Sequence, residues 1–355
     1  MPKHKKQRAK QAVLRRQSYV IEVVEGLEDI VQKELGEKIP SAKVVFVSSG
    51  ELTITYDGPP LKLELLRTVL SIYEALDFPV PRPKALLGHE HFTRLIDAIR
   101  RSVGRWRVRP QNWHLAAAGS QTSVMQRVIE AVSEALQLPH DDSEGDLMLR
   151  VRPNKISDQP IWQVLIRLTP RPLATRPWRV ANMPGALNAS VAAAMQYLVK
   201  ARADDRLLNI ACGSGTILIE RLLTQPAEVA LGVDIDRDAL DSALSNIVEA
   251  GVHIDGLIQA DACDLPFPGA SFTSVMADLP FGQLVGNHKD NLALYPAVLD
   301  EVARITESGA NFVIVTHEVK LMEQCLSTNQ WWRRKQEIKI NLTGIHPRIY
   351  VLQRA

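Results

Sequence analysis

Cysteine is scarce in this 355-residue chain: the three cysteines, Cys212, Cys263 and Cys325, lie far apart and form no CxxC pair. This spacing argues against a disulfide framework and a zinc site, and we expect no bound metal. No stretch reaches the roughly 18 to 20 consecutive apolar residues that a membrane span needs. The first residues are basic and lack the apolar core of a signal peptide, so we expect a cytoplasmic protein without membrane contact.

Acidic residues are absent from residues 1–17, where seven basic residues occur in a chain whose formal net charge is only +2. Such a tail could contact the phosphates of a nucleic acid, or it could simply be a solvated segment. The hydrophobic content of 46% and the charged content of 23% are typical of a globular protein. The length predicts two or three domains.

The order of strand-like and helix-like segments predicts three folded parts after the basic tail of residues 1–17. Residues 18–78 combine an alternating strand, an amphipathic helix and two further strands, which indicates a small α+β unit. The Pro-rich stretch at 79–83 marks a boundary or a rigid crossing, and residues 79–172 hold two helices followed by two strands. Residues 173–355 begin with a basic linker and then alternate strands with helices, which predicts a parallel α/β sheet. The last two strands read as a closing antiparallel hairpin.

The strongest local signal lies at 207–216, where an apolar strand runs into the small-residue turn Ala211-Cys212-Gly213-Ser214-Gly215 and then a helix. Glycines permit unusual backbone angles, and free N–H groups at a helix start suit a nucleoside-bearing cofactor. A P-loop would need a GK[ST] ending, and a dinucleotide fingerprint would need a third glycine where Leu218 stands. Both are disfavoured.

Two acidic residues follow later strands of the same predicted sheet. Asp234 comes 21 residues after Gly213 and could accept hydrogen bonds from ribose hydroxyls. Asp261 ends the third strand and could accept the adenine amino hydrogen, while the next backbone N–H reaches a ring nitrogen. Either carboxylate could instead only cap a turn. The candidate cofactor-binding residues are Asn209, Ala211, Gly213, Gly215, Asp234, Ile235, Asp261, Ala262 and Asp278.

The fourth strand ends in Asp278-Leu279-Pro280-Phe281, which resembles the [DN]PP[FYW] motif of amino methyltransferases. An exocyclic base amine is a poor nucleophile because its lone pair is delocalised into the ring. Asp278 and the Leu279 carbonyl could hold the amine hydrogens and aim that lone pair at a methyl sulfonium. Phe281 could stack on the extruded base. The motif departs from the commoner one at Leu279, and Asn209 stands where many relatives carry an acid.

Taken as a whole, the sequence resembles the THUMP-domain tRNA guanine-N2-methyltransferases. The stretch from Gly26 to Leu35 is similar to their ferredoxin-like unit, and residues 92–170 are similar to a divergent THUMP domain. Residues 176–188 resemble the segment that wraps the cofactor, and residues 344–348 resemble the closing hairpin. The resemblance implies a Rossmann-like class I methyltransferase domain after α+β ferredoxin-like and THUMP-like units. It further implies S-adenosylmethionine as cofactor and guanosine N2 of tRNA, in the acceptor stem near position 6, as target.

The basic segment Arg105-Trp106-Arg107-Val108-Arg109 could bind phosphates and exposed bases, or it could be a solvated charged strand. The motifs alone leave two other functions open. One is an N6-adenine or ribosomal RNA methyltransferase, and the other is a cofactor-binding RNA chaperone without turnover. The sequence also leaves open the role of His288, the degree of methylation, and the need for a small activator subunit.

Overall fold

The computed structural model describes residues 17–157, 159–280, 288–342 and 344–355. Apart from Gln17, the predicted basic tail lies outside these residues. Tertiary contacts divide the chain into two compact units. One contains Gln32–Leu173 with the first strand, and the other contains Val24–Val31 with Ala174–Ala355. Within the described part of the chain, no helix is long and apolar enough to cross a membrane.

The first unit is built on a seven-stranded mixed sheet with the order β2-β3-β1-β4-β7-β6-β5. Its main elements are β1 (Ser18–Val23), α1 (Glu28–Lys38, shared between the units), β2 (Lys43–Ser48), β3 (Glu51–Thr55), β4 (Val69–Phe78), α2 (His89–Val103), β5 (Trp113–Ala117), α3 (Ser123–Leu136), β6 (Leu147–Pro153) and β7 (Trp162–Arg167). The apolar faces of α2 and α3 pack with β4 to β7 into one core. This burial holds the helices, since short helices gain most of their stability from packing.

The predicted boundary at residue 78 falls inside this sheet. Strand β4 ends there and pairs in antiparallel fashion with β7, with Phe78 opposite Trp162. Residues 18–78 and 79–172 therefore share one hydrogen-bonded sheet instead of forming separate ones. The Pro-rich stretch marks a crossing between elements, because proline fixes φ and cannot donate to a strand ladder.

The second unit holds another seven-stranded sheet, in the order β10-β9-β8-β11-β12-β14-β13. Its elements are α4 (Ala189–Val199), β8 (Arg206–Ile210), α5 (Thr216–Thr224), β9 (Val229–Asp234), α6 (Arg237–Ala250), β10 (Gly256–Gln259), β11 (Phe272–Asp278), α7 (His288–Ile305), β12 (Thr306–Thr316), α8 (Val319–Thr328), β13 (Trp332–Lys339) and β14 (Arg348–Arg354). Strands β8 to β12 are parallel, and β14 pairs antiparallel with both β12 and β13. The closing hairpin is thus as predicted.

The parallel strands of this unit place the ends of β8, β9, β10 and β11 at one edge of the sheet. In open α/β sheets, ligands bind outside the carboxyl ends of the strands, where the strand order reverses. Here the order reverses between β8 and β11, because β9 and β10 lie on one side and β12 on the other. The fold therefore predicts where a site in this unit should lie.

Gly26 provides a test of the packing within the second unit. Its φ is +96°, and an added Cβ would lie 2.0 Å from the carbonyl oxygen of Lys339. We expect Gly26→Ala to lower the free energy of unfolding by roughly 2 kcal/mol or more, because left-handed strain adds to a steric clash with backbone. The readout is the urea midpoint.

The matched control is Gly36→Ala. Gly36 lies within α1, and an added Cβ there would meet no atom within 4 Å. We expect a neutral or slightly stabilising effect, up to about 1 kcal/mol, because alanine favours the helix. Equal midpoints for the two variants would contradict the clash at Gly26.

Candidate active site

A cavity of about 300 Å³ opens at the carboxyl edge of the second sheet. It is bounded by the loops that follow β8, β9, β10 and β11, by α7, and by the segment that precedes α4. The lining residues that bear on the chemistry are Met183 to Leu187, Ala211, Gly213, Asp234, Ile235, Asp261, Ala262 and Asp278 to Pro280. The structure thus brings together most of the residues that the sequence singled out for a cofactor.

The loop between β8 and α5 forms the floor of the cavity through an unusual backbone. Ala211, Gly213 and Gly215 have φ angles of 47°, 51° and 81°. A side chain at Gly215 would approach the Cβ of Ala243 to 3.3 Å, so the loop lies directly on α6. Ala211 is the exception among these residues, because a non-glycine residue with positive φ is strained. Such local strain is common where a backbone must approach a ligand.

Asp234 connects the glycine loop to the end of β9. Its Oδ2 accepts a hydrogen bond from the Gly213 N–H at 2.8 Å, and its Oδ1 accepts one from the Asp236 N–H at 3.0 Å. A carboxylate offers about four acceptor positions, so this pair of bonds leaves capacity for a ligand. The side chain lies on the cavity wall.

The residues that follow β10 and β9 give this part of the cavity a polar and an apolar surface. Asp261 lines the cavity, and its Oδ1 accepts the Cys263 N–H at 2.9 Å, which fixes the carboxylate. Ala262 lines the cavity beside it. Ile235, at the end of β9, is 67% exposed and presents an apolar side chain to the same space. This combination suits a flat, partly polar ring.

Asn209 does not line the cavity. Its side chain is fully buried in the sheet, where Nδ2 donates to the carbonyls of Ile210 and Met276 at 3.2 Å each. The amide therefore links β8 to β11. Its Oδ1 has no hydrogen-bond partner among the described residues.

The Asp278 carboxyl lies at the wall of the cavity. Its Oδ1 is shielded from solvent and has no hydrogen-bond partner among the described residues. Burial raises the pKa of this carboxyl to about 8, because desolvation disfavours the charged form. A buried acceptor without a partner at a cavity wall is a candidate for ligand contact.

The two residues after Asp278 are tightly held. Leu279 is 1% exposed, and its N–H donates to the carbonyl of Val315 at 3.1 Å. The carbonyl of Pro280 accepts hydrogen bonds from Asn291 Nδ2 and Tyr295 Oη. Phe281, the predicted stacking residue, lies outside the described residues.

Asn246 is a residue that the sequence reasoning missed. This fully buried side chain of α6 exchanges two hydrogen bonds with the backbone of Ala181, and it also donates to the carbonyl of Ser214 at 3.0 Å. It therefore ties the segment before α4 to the glycine loop. A polar residue in the apolar stripe of Ala239, Leu240, Ala243 and Ile247 was the available signal.

The same segment is anchored a second time by Arg179. Its Nη2 donates to the Leu187 carbonyl at 2.8 Å and to Thr216 Oγ1 at 2.9 Å. Residues Met183 to Leu187 between these anchors form one wall of the cavity. His288 is elsewhere: its side chain is 64% exposed, and Nδ1 lies 2.9 Å from Glu318 Oε1.

The predicted basic patch belongs to the first unit and is divided by the structure. Trp106 is partly buried, and its Nε1 donates to the Leu168 carbonyl at 2.6 Å. Arg105 Nη2 lies 3.5 Å from the buried carboxylate of Glu74. Arg107 and Arg109 are exposed. The tryptophan and the first arginine therefore have partners inside the unit, whereas the other two arginines face solvent.

This chain is similar to one protein family and to individual members of related proteins. Residues 176–348 match the UPF0020 family, described as RMKL-like, methyltransferase domain. The chain is 30% identical over 186 residues to the mouse (Mus musculus) tRNA (guanine(6)-N(2))-methyltransferase THUMP3, covering 48% of this chain and 37% of the relative. It is 27% identical over 232 residues to the tRNA (guanine(6)-N2)-methyltransferase of Thermus thermophilus, covering 65% and 67%. The chain thus spans little more than a third of the mouse relative.

Among solved structures, TrmN from Thermus thermophilus superimposes with a TM-score of 0.74 at 22% identity, covering 96% of this chain and 100% of that one. At this identity the similarity shows the fold. It confirms the predicted fold class, with a Rossmann-like class I methyltransferase domain in the C-terminal part.

The raised pKa of Asp278 predicts a pH-dependent stability difference. Above pH about 4 the unfolded chain releases the Asp278 proton, whereas the folded chain keeps it up to pH about 8. The free energy of unfolding therefore falls across this range, and the stability that the protonated carboxyl contributes is lost as pH rises through about 8. Asp278→Asn removes the titration, and its Tm should exceed that of the wild type more at pH 8.5 than at pH 5. At about 1.4 kcal/mol per pKa unit, the stability difference between variant and wild type should change by a few kcal/mol between the two pH values. Screening by solvent at the partly exposed side chain reduces this amount.

The control for this comparison is Asp241→Asn, a change to an exposed carboxylate that lies 3.2 Å from Arg237 on α6. Differential scanning calorimetry at the two pH values should show a nearly constant difference from the wild type for this variant. A constant difference for Asp278→Asn as well would mean that Asp278 titrates like a solvated acid.

Proposed function

We propose that this chain, whose residues 176–348 match the UPF0020, RMKL-like methyltransferase family, transfers a methyl group from S-adenosylmethionine to guanosine N2 in tRNA. The observation that carries the proposal is the buried, unpartnered Oδ1 of Asp278 at the cavity wall, directly before Leu279-Pro280. The proposed target is the acceptor stem near position 6.

The residues around the cavity fit the cofactor. The spare acceptor capacity of Asp234 suits two ribose hydroxyls, and Asp261 with the Ala262 N–H suits the adenine edge. Ile235 offers an apolar face for the ring. The segment from Met183 to Leu187 would enclose the ligand from the other side. When bound, S-adenosylmethionine supplies an electrophilic methyl group on a positively charged sulfur.

Asp278 would act by orienting the methyl acceptor. The Asp278 oxygen and the Leu279 carbonyl would accept the hydrogens of the exocyclic amine, so that the nitrogen lone pair points along the line of methyl transfer. Phe281 is proposed to stack on the base. Rate then comes from positioning and from stabilisation of charge, without a covalent enzyme intermediate.

The choice of guanine N2 and of tRNA is supported by the activities named for the relatives from mouse and Thermus thermophilus. The cavity chemistry by itself suits any exocyclic amine, including adenine N6. We further propose that Arg107, Arg109 and the basic tail contact RNA phosphates, with Arg105 and Trp106 supporting the patch from inside. The proposed location is the cytoplasm.

Asp234 provides a test of the cofactor assignment. Asp234→Ala should weaken S-adenosylmethionine binding by on the order of 1–3 kcal/mol, because ribose hydroxyls lose a charged acceptor and the Gly213 N–H loses its partner. Isothermal titration calorimetry measures the affinity. Asp241→Ala, on the exposed face of α6, should bind as the wild type does, and a folded Asp234→Ala variant with unchanged affinity would remove Asp234 from the site.

The product tests the function directly. Incubation of the full chain with unmodified tRNA and S-adenosylmethionine should yield N2-methylguanosine, and Asp278→Ala should reduce the yield sharply even at a saturating concentration of cofactor. Digestion and nucleoside mass spectrometry identify the product. N6-methyladenosine, or methylation confined to ribosomal RNA, would overturn the substrate assignment. Cofactor binding without any methylated product would favour a chaperone.

A further inference from the structure

A chain of buried hydrogen bonds holds the loop that carries Asp278. Tyr295 Oη donates to the Pro280 carbonyl at 2.9 Å, and Asn291 Nδ2 donates to the same oxygen at 3.0 Å. Tyr295 is fully buried and Asn291 is 1% exposed. Both residues lie on α7, one helical turn apart, so two donors on one face of the helix bind the same carbonyl oxygen.

The tyrosine hydroxyl is itself oriented from β12. Thr316 Oγ1 lies 2.5 Å from Tyr295 Oη, and the Glu318 N–H donates to that threonine oxygen at 3.0 Å. With the tyrosine proton on the Pro280 carbonyl, the threonine proton points to the tyrosine oxygen. Each bond then polarises the next in the same direction, which strengthens a buried chain of this kind.

The loop needs these hydrogen bonds because it has leucine at position 279, where the commoner motif has proline. A proline at this position would fix φ at about −65°, whereas leucine leaves that angle free. The Leu279 N–H, which proline would lack, donates to the Val315 carbonyl. Hydrogen bonds on both sides of the Leu279–Pro280 peptide therefore restrain the segment that a second proline would otherwise stiffen.

We propose that Tyr295 and Asn291 are positioning residues that set the direction of the Asp278 carboxyl toward the methyl-accepting amine. This inference rests on the proposed function for the identity of the acceptor. Neither residue needs to touch the substrate, because both act through the Pro280 carbonyl, two residues after Asp278. Loss of the tyrosine hydroxyl should therefore affect methyl transfer more than cofactor binding.

The test is Tyr295→Phe, which removes one oxygen and keeps the buried ring. We expect the single-turnover rate of methyl transfer to tRNA to fall about tenfold, while affinity for S-adenosylmethionine changes less than twofold. Asn291→Leu, which removes the second donor, should lower the rate in the same direction. A rate and an affinity that fall together would indicate a general structural defect and overturn the proposal.

The matched control is Tyr350→Phe. Tyr350 is also fully buried in the same unit, and its hydroxyl donates to Glu323 at 3.1 Å, on a different helix from the loop's anchors. This variant loses a comparable hydrogen bond and should keep the wild-type rate within about twofold. An equal loss of rate in both variants would show that any buried tyrosine bond has this effect, and would refute the specific role of Tyr295.

Hydrogen exchange separates this proposal from the proposed function. In a peptide that covers residues 272–280, the Leu279 amide should exchange faster in Tyr295→Phe than in the wild type or in Tyr350→Phe. Unchanged exchange would overturn the restraint of the loop, whatever the substrate is. A wild type that forms a different methylated nucleoside would refute guanine N2, and the rate comparison would then be made on that product.

Discussion

The hydrogen bond from the Gly213 N–H to the Asp234 carboxylate is the constraint on which the cavity depends. It joins the ends of β8 and β9, two strands that the sequence separates by a whole helix. Because three alternate residues of the glycine loop have positive φ, its backbone has no regular structure to hold it. A charged acceptor gives it a fixed partner, and charge-assisted bonds of this type are stronger than neutral ones. Asn246 then ties the same loop to the segment before α4.

The residues whose position at the cavity the sequence predicts are those at the ends of strands. Gly213, Asp234, Asp261 and Asp278 follow four parallel strands, so their meeting at one edge follows from the topology alone. Asn209 shows the limit of that reasoning. It lies within β8, and whether its amide faces the cavity or another strand depends on the neighbours across the sheet. Its Nδ2 donates to the carbonyl of Met276, a partner that no local sequence pattern reveals.

The first unit shows the same limit for charge patterns. The run from Arg105 to Arg109 reads as a uniform basic surface, yet Arg105 lies beside Glu74, a buried residue of β4. That strand carries Ser71, Glu74 and Asp77 among apolar residues, so neither alternation nor a continuous apolar run marks it as a strand. The partners of Glu74 and Asp77 are distant in the sequence: Arg105 lies beside Glu74, and Asn154 and Gln163 donate to Asp77. Local periodicity cannot supply such partners, which is also why the predicted boundary at residue 78 falls inside a sheet.

The apolar surroundings of Asp278 give the proposed reaction a consistent electrostatic course. In the cavity without a cation, the carboxyl holds its proton up to about pH 8. A sulfonium bound nearby would favour the carboxylate, since opposite charges within a few ångströms lower the pKa of an acid. The carboxylate would then be the stronger acceptor for the amine hydrogens, which it is proposed to hold during methyl transfer. In the proposed reaction, methyl transfer would move the positive charge from the sulfur to the nitrogen, which would then have a proton to lose. The Asp278 carboxylate would then lie beside a cationic amine, whose acidic proton it would accept. Under the proposed function, burial of this carboxyl, which weakens the fold at alkaline pH, would serve both the orientation of the amine and the removal of its proton.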